Sequence, residues 1–115
     1  MPDWRHVGRI AAAALAAVAF ALAAADPVLA AEHVVEIRDY KFVPPTLRIK
    51  AGDTVRWVNR EKRTSHSVLF KTAGLPESQR FFPDESWSWR FDAPGQYPYT
   101  CEPHPEMHGQ IEVLE

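Results

Sequence analysis

Short stretches that alternate apolar and polar residues, separated by turns rich in proline and glycine, run from residue 33 to the C-terminus. In "TLRIKAG" (46–52), Leu47 and Ile49 alternate with basic residues, and in "SWSWRF" (86–91) aromatic residues occupy every second position. Successive side chains of a strand point to opposite faces, so this period of two predicts strands that are buried on one face. The ten prolines oppose long helices. The pattern therefore predicts an all-β sandwich.

The same alternation fixes the predicted order of elements and the predicted core. The predicted strands are 33–39, 46–50, 53–59, 66–70, 86–91, 96–100 and 109–115. The segment 71–85, "KTAGLPESQRFFPDE", lacks the pattern. It is predicted to be a loop that crosses between the sheets and contains at most one helical turn. Trp57 and the inward aromatic side chains of 86–91 are predicted to be core residues.

The first thirty residues differ in composition from the rest. Arg5 and Arg9 lie near the start, an apolar and mostly alanine run occupies 10–25, and small residues follow at 28–30. This order predicts a secretory signal peptide. A membrane anchor is the alternative, but a spanning helix needs roughly 18–20 apolar residues. We therefore predict a signal peptide at 1–30, cleaved after Ala30 or Ala31, and one exported periplasmic domain at 31–115 without stable membrane insertion.

Charge and cysteine content narrow the class of function. Lysine and arginine total 13 against 15 aspartate and glutamate, so the chain has no basic field for nucleic acid. Cys101 is the only cysteine and cannot form an internal disulfide. A free thiol in an exported protein invites oxidation or intermolecular pairing. Ligation to a metal would protect the thiolate and would add folding energy, so these observations favour a metal site.

Candidate ligands cluster in "YTCEPHPEMHG" (99–109), between the last two predicted strands. Cys101, His104 and Met107 follow one another at intervals of three residues. A loop at the end of a β-hairpin can bring three such side chains around one point. Pro103 and Pro105 fix φ and lower the entropy cost of ordering this loop. A fourth ligand must come from elsewhere in the chain.

His66, which begins the predicted strand 66–70, is the candidate for the fourth ligand. One thiolate, two imidazoles and one thioether suit copper far better than Ca²⁺ or Mg²⁺, and two His, one Cys and a weak axial Met are the ligands of blue-copper sites. Zinc is the main competitor, although structural zinc sites more often use several cysteines. Attachment of haem c would need C-x-x-C-H, which is absent. A cysteine nucleophile paired with a histidine base lacks the rest of a hydrolase.

Three stretches, "VVEIRDYKFVPPTLRIKAGDTVRWVNRE", "FDAPGQYPYTC" and "YPYTCEPHPEMHGQIEVLE", resemble the cupredoxins, the type 1 blue-copper family, and above all its amicyanin-type members. The resemblance implies a Greek-key β-sandwich with one type 1 copper at one end, between loops. It implies His66, Cys101 and His104 as equatorial ligands, Met107 as the axial ligand, and His104 as the exit for the electron. We therefore predict a monomeric electron carrier, not an enzyme, that exchanges electrons with another redox protein such as a dehydrogenase or a c-type cytochrome.

Four positions depart from the family pattern. Ser67 and Glu102 stand where cupredoxins often have Asn after the first His and Thr or Ser after the Cys. Glu102 is expected to place a carboxylate near the metal. Ser65 and Glu106 stand where amicyanin-type members have Pro and a large apolar residue. The rim of the site is therefore expected to be partly polar, and the partner of amicyanin-type proteins does not carry over.

Two further histidines leave a second function open. His108 follows Met107 directly and is either a solvated surface residue or a secondary metal donor. His33 lies near the expected mature N-terminus and is either exposed or a loose Cu(II) donor together with the α-amine. Both favour a copper-handling protein that gives tolerance to excess periplasmic copper. The complete ligand set favours the electron carrier.

Overall fold

The computed structural model describes residues 29–72 and 74–115. The predicted signal peptide, apart from its last two residues, lies outside the described residues. Within the described part of the chain, no helix is long and apolar enough to cross a membrane.

The strands are β1 (Glu32–Arg38), β2 (Lys41–Val43), β3 (Thr46–Lys50), β4 (Thr54–Asn59), β5 (Leu69–Phe70), β6 (Ser86–Arg90), β7 (Gly95–Thr100) and β8 (His108–Leu114). They form two four-stranded sheets that pack face to face, with strand orders β2-β1-β4-β6 and β3-β8-β7-β5. Strands β1 and β4 pair in parallel, as do β3 and β8, and the other pairs are antiparallel. The all-β prediction is confirmed.

The region around His66 differs from its predicted strand 66–70. Only Leu69–Phe70 pair with β7, whereas His66 forms an isolated bridge with Phe81. Between His66 and Leu69 the backbone bonds a side chain instead of a neighbouring strand: the Val68 N–H donates to Ser78 Oγ at 2.7 Å. The segment that supplies Phe81 and Ser78 therefore acts as a partner for this loop, and no helix occurs in its described residues. Strand β2 was not predicted; it is only three residues long.

Aromatic side chains fill the space between the sheets. Trp57 is fully buried and meets Tyr99 edge-to-face, with ring centroids 5.4 Å apart. Phe91 is buried as predicted, but Trp87 and Trp89 are only half-buried against the core. Aromatic pairs of this geometry stabilise the folded state by more than the burial of their apolar area alone. Trp57 lies on β4 and Tyr99 on β7, so their contact joins the two sheets.

A buried carboxylate, Asp53, closes the turn between β3 and β4 at the other end of the sandwich. It is 6% exposed and accepts hydrogen bonds from the backbone N–H groups of Ala31 and Lys50 and from His33 Nε2, at 2.9 to 3.0 Å. The Ala31 and His33 contacts, together with that of Lys50, lower the pKa of Asp53 from 3.8 to about 2. The carboxylate therefore joins the first strand to this turn.

The lowered pKa of Asp53 predicts a specific loss of stability in acid. The contribution is fully present above the unfolded pKa of 3.8 and is lost as the pH falls through about 2. We expect the free energy of unfolding of the wild type to exceed that of Asp53→Asn at about pH 5, and the gap to shrink towards about pH 2. Urea denaturation at both pH values measures it, with exposed Asp92→Asn as the matched control. A gap that is independent of pH would contradict this role of Asp53.

Candidate metal centre

The hairpin loop between β7 and β8 is held by two successive backbone turns. The His104 N–H donates to Cys101 O at 3.2 Å, and the Met107 N–H donates to His104 O at 3.0 Å. Cys101 is fully buried, Met107 is 2% exposed, and His104 is half-buried. This winding directs the chain so that a thiol and an imidazole face one point beneath the loop.

His66 reaches the same point from the loop that follows β4. Its backbone exchanges two hydrogen bonds with Phe81, at 3.1 and 3.0 Å. Asn59, at the end of β4 and fully buried, donates through Nδ2 to Thr64 O and Phe81 O and accepts from the Glu61 N–H. The loop from 60 to 65 is therefore fixed at both ends by one side chain, and His66 follows it directly.

The distances among these side chains fit one metal ion. Cys101 Sγ lies 3.6 Å from His66 Nδ1 and 3.6 Å from His104 Nδ1, and the three ligand atoms lie within 4.8 Å of one another. A nitrogen about 2.1 Å and a sulfur about 2.3 Å from one metal, at a tetrahedral or trigonal angle, are roughly 3.6–3.8 Å apart. The arrangement is thus that of a preformed site. Met107 is buried in the same loop, three residues after His104.

The tautomer of His66 is set from outside the cluster. His66 Nε2 lies 3.3 Å from Glu61 Oε1, although the two groups are not aligned as a full hydrogen bond. The same Glu61 oxygen accepts the Tyr40 N–H at 2.7 Å. A carboxylate beside one ring nitrogen favours a proton there and leaves the other nitrogen as a ligand. Nδ1 is the nitrogen that faces the sulfur.

Protonation of the metal-free site follows from burial. Burial, and then the nearby His104 ring, lowers the pKa of His66, so this ring is neutral and ready to bind a metal near neutral pH. Burial raises the pKa of the Cys101 thiol, and hydrogen bonds from the Ser67 and His104 backbone oppose that rise. A bound metal cation would stabilise the thiolate and release its proton.

Tyr40 covers one side of the site, a role that was not predicted from the sequence. Its ring meets His66 and His104 edge-to-face, with centroids 5.6 and 5.0 Å away, and the residue is 49% exposed. Tyr40 has a positive φ of 57°, which turns the chain sharply between β1 and β2. Glu61 and Asn59 were missed as well. Nothing in the sequence marks the three, because their contacts depend on the conformation of the loop at 60–65 and of the turn between β1 and β2.

Ser67 ties the two ligand loops together. Its N–H donates to Cys101 Sγ at 3.3 Å, and its Oγ accepts the Glu102 N–H at 3.0 Å. The Glu102 carboxylate was expected near the metal, but it points to the surface, where Arg80 binds it at 3.0 Å and both side chains are half-exposed. Ser67 therefore connects the two loops, and the charge of Glu102 is solvated.

Loss of the Ser67 hydroxyl is expected to loosen this connection. Ser67→Ala leaves the Glu102 N–H without its partner, so we expect the free energy of unfolding of the metal-free protein to fall by about 1–2 kcal/mol. Chemical denaturation measures the change. Ser65→Ala, in the same loop, is the matched control and should lie near the wild type. Equal stability of the Ser67 and Ser65 variants would show that the tie contributes nothing.

The two other histidines of the described residues lie apart from this cluster. His108 is exposed at the start of β8, and His33 is held by Asp53 at the start of β1. Among the residues that the structure describes, three His, Cys, Asp or Glu side chains bring their ligand atoms close together, namely His66, Cys101 and His104.

Comparison with known proteins identifies the family of the chain. The sequence model of the family described as "Copper binding proteins, plastocyanin/azurin family" matches residues 29–114. The chain is 41% identical to Amicyanin-alpha of Methylorubrum extorquens over 107 residues, which cover 90% of this chain and 87% of the relative. It is 38% identical to plastocyanin of Scenedesmus fuscus over 84 residues, which cover 63% of this chain and 85% of the relative.

Solved structures show the same relationship. The fold is similar to that of a reduced Cu(I) form, at pH 4, of an amicyanin variant, with a TM-score of 0.69 and 35% identity over 82% of this chain and 89% of that chain. An oxidised amicyanin variant matches with a TM-score of 0.67 and 36% identity over 71% of this chain and 81% of that chain. The predicted cupredoxin fold and the predicted copper cofactor are confirmed: this chain belongs to the plastocyanin/azurin family of copper-binding proteins.

Proposed function

We propose that the protein is a periplasmic carrier of single electrons. His66, Cys101 and His104 would hold one type 1 copper, and Met107 would supply the weak fourth donor. The observation that carries this proposal is the convergence of one buried sulfur and two imidazole nitrogens, each 3.6 Å from the sulfur, in a chain of this family. The proposal describes an electron carrier, not an enzyme.

The surroundings of the donors suit electron transfer. Bound copper supplies a one-electron Cu(II)/Cu(I) couple, whose two states prefer different geometries. Ser67 and Asn59 fix the two loops through hydrogen bonds, and Pro103 and Pro105 stiffen the hairpin. Donors held in this way move little between the two states, so the reorganisation energy is low. The Ser67 N–H at the sulfur also tunes the potential.

His104 is the proposed exit for the electron. It is half-buried, whereas His66 is completely buried, so a partner can approach the metal most closely over His104 and the adjoining Tyr40 ring. The rim carries the exposed charges of Glu102 and Glu106. Charged rims steer a partner and set its orientation. The proposed partner is another redox protein, such as a dehydrogenase or a c-type cytochrome.

Spectroscopy of the loaded protein tests the metal assignment. We expect Cu(II) to give an intense visible band from charge transfer between thiolate and copper, with an EPR spectrum of a type 1 site. Rapid mixing with a reduced c-type cytochrome should then bleach this band as the electron is transferred. A loaded protein without colour would exclude the type 1 site, and a coloured protein that never bleaches would exclude the carrier.

Copper tolerance is the competing function, and the exposed His108 is the observation that favours it. His33 gives it less support, because its Nε2 is bound to Asp53 at 2.9 Å. Deletion of the gene in its own organism separates the two functions. We expect growth in excess copper to be unchanged. A clear growth defect in excess copper would instead establish copper handling, if the wild-type gene rescues it and the gene for His108→Ala does not.

Replacement of the axial ligand has a distinct expected outcome. Met107→Leu keeps a buried apolar side chain but removes a weak donor that favours Cu(II), so the visible band should persist and the reduction potential should rise. Voltammetry and absorption spectra measure both quantities. His108→Ala, one residue away and exposed, is the matched control. A larger spectral change in the control than in Met107→Leu would mean that His108 is the fourth ligand.

A further inference from the structure

A buried carboxylate lies beside the predicted cleavage bond, at the end of β1 opposite the metal centre. Asp53 Oδ1 accepts the Ala31 N–H at 2.9 Å, and Oδ2 accepts His33 Nε2 at 2.9 Å and the Lys50 N–H at 3.0 Å. The Lys50 contact lies within the turn between β3 and β4. The other two donors both belong to the first three residues of the expected mature chain.

Buried ionised groups need charged or multiple hydrogen-bonding partners, because desolvation is costly. In the uncleaved chain Asp53 receives two amide hydrogens and one imidazole. The atom at 2.9 Å from Oδ1 is the backbone nitrogen of Ala31, which becomes an α-ammonium group if the bond before it is hydrolysed. Cleavage at that bond alone would place a positive charge directly on the carboxylate.

We propose that a signal peptidase hydrolyses the bond between Ala30 and Ala31, and that the new α-ammonium group of Ala31 forms an ion pair with the buried carboxylate of Asp53. Water adds across the peptide bond, Ala30 leaves with a carboxylate, and Ala31 keeps the nitrogen as an ammonium group. The inference depends on the export that is part of the proposed function. It assigns one of the two bonds that the sequence left open.

The alternative cleavage, after Ala31, would remove contacts that the fold uses. Ala31 supplies the N–H to Asp53, and its carbonyl accepts the Thr54 N–H at 3.0 Å. Both bonds would be lost with Ala31, at the point where β1 begins to pair with β4. Leu29 and Ala30 are exposed, Leu29 by 84%, so the bond before Ala31 is open to a protease.

Other charges near the amine do not replace Asp53. The titratable and charged side chains around it are those of Glu32, His33, Lys50, Arg90 and Glu115. Glu32 is exposed and pairs with Arg56 at 3.3 Å, and Arg90 is exposed and pairs with Asp92 at 2.7 Å. Asp53 alone in this group is buried. The ammonium group is therefore stabilised mainly by this carboxylate, which raises its pKa above that of a free terminus.

The first test is the intact mass of the protein purified from the periplasm of cells that express the full chain. We expect a mass that corresponds to residues 31–115. A chain that begins at Glu32, or at any residue before Ala31, would overturn the proposal. The copper spectrum is recorded on the same sample, so failure of this inference is distinguishable from failure of the proposed function.

The second test is competitive acetylation of the terminal amine over a range of pH, with mass spectrometry of the N-terminal peptide. Because the ion pair favours the ammonium form, we expect acetylation near pH 6.5, where both amines are mostly protonated, to be about tenfold slower in the mature wild type than in Asp53→Asn, which corresponds to about one pKa unit. Asp92→Asn is the matched surface control and should react like the wild type.

A second comparison keeps the test decisive if Asp53→Asn does not fold. A chain that begins at Ala30 retains the Ala31 amide and its hydrogen bond to Asp53 but moves the charge by one residue. Its terminal amine should react at the rate of a free terminus, about tenfold faster than that of the chain beginning at Ala31. Equal rates in the two folded chains would overturn the ion pair.

Discussion

Cys101→Ala should abolish the intense visible band of the Cu(II)-loaded protein. Cys101 is the only cysteine of the chain, and its sulfur lies 3.6 Å from each of the two imidazole nitrogens. Charge transfer from thiolate to copper requires this sulfur, so no other residue can replace it. We expect complete loss of the band, measured by absorption at equal copper content, and a spectrum typical of nitrogen and oxygen ligands in EPR.

The matched control for this loss is a variant that lacks the exposed His108 imidazole, which lies outside the ligand cluster. His108→Ala, with the same protein-to-copper ratio, should keep the band. The fold of Cys101→Ala is checked in the metal-free state, because Cys101 is completely buried and its replacement leaves a small cavity. If a folded Cys101→Ala protein kept its intense colour, the thiolate assignment would be wrong.

Asn59→Ala should cause the largest loss of stability among the variants considered. The buried amide makes three hydrogen bonds, to Thr64 O, Phe81 O and the Glu61 N–H. Removal of buried partners costs roughly 1 kcal/mol for each bond, so we expect the free energy of unfolding to fall by about 3 kcal/mol. Urea denaturation of the metal-free protein measures it.

The effect of Asn59→Ala should also reach the metal. Asn59 fixes the loop that carries Glu61 and leads to His66, so the His66 ring should lose its fixed position. We expect weaker copper binding and a broadened EPR spectrum in the folded variant. Thr64→Ala changes the same loop without removing the Asn59 contacts and is the control. A variant at Asn59 with the stability and spectrum of that control would contradict this role.

The fold could be predicted because its information is local and repeated. The alternation in 46–52 and 86–91 requires one buried face for each strand, and prolines exclude long helices. The hairpin cluster was visible because Cys101, His104 and Met107 lie within seven residues of sequence. Local spacing therefore carried both the fold class and three of the proposed ligands.

The residues that the sequence did not reveal act through the conformations of loops and turns, which a pattern of apolar and polar residues does not specify. Glu61 meets His66 through a loop conformation that Asn59 imposes, and Tyr40 reaches the imidazoles only through its turn between β1 and β2. Glu102 was placed near the metal because it follows Cys101, but a charge at that position is more stable in water beside Arg80. Proximity in sequence did not determine the direction of its side chain.

The C-terminal end of the chain lies opposite the metal centre, so the protein can be attached to an electrode in one defined orientation. Strand β1 starts at Glu32 and β8 ends at Leu114, both at the end opposite Tyr40 and His104, and the Leu114 carbonyl accepts the Ala51 N–H beside Asp53. A linker joined after Glu115 would therefore attach the protein by the end remote from the metal. Molecules immobilised in this way would all present His104 to the solution, and their current would report exchange with a dissolved partner.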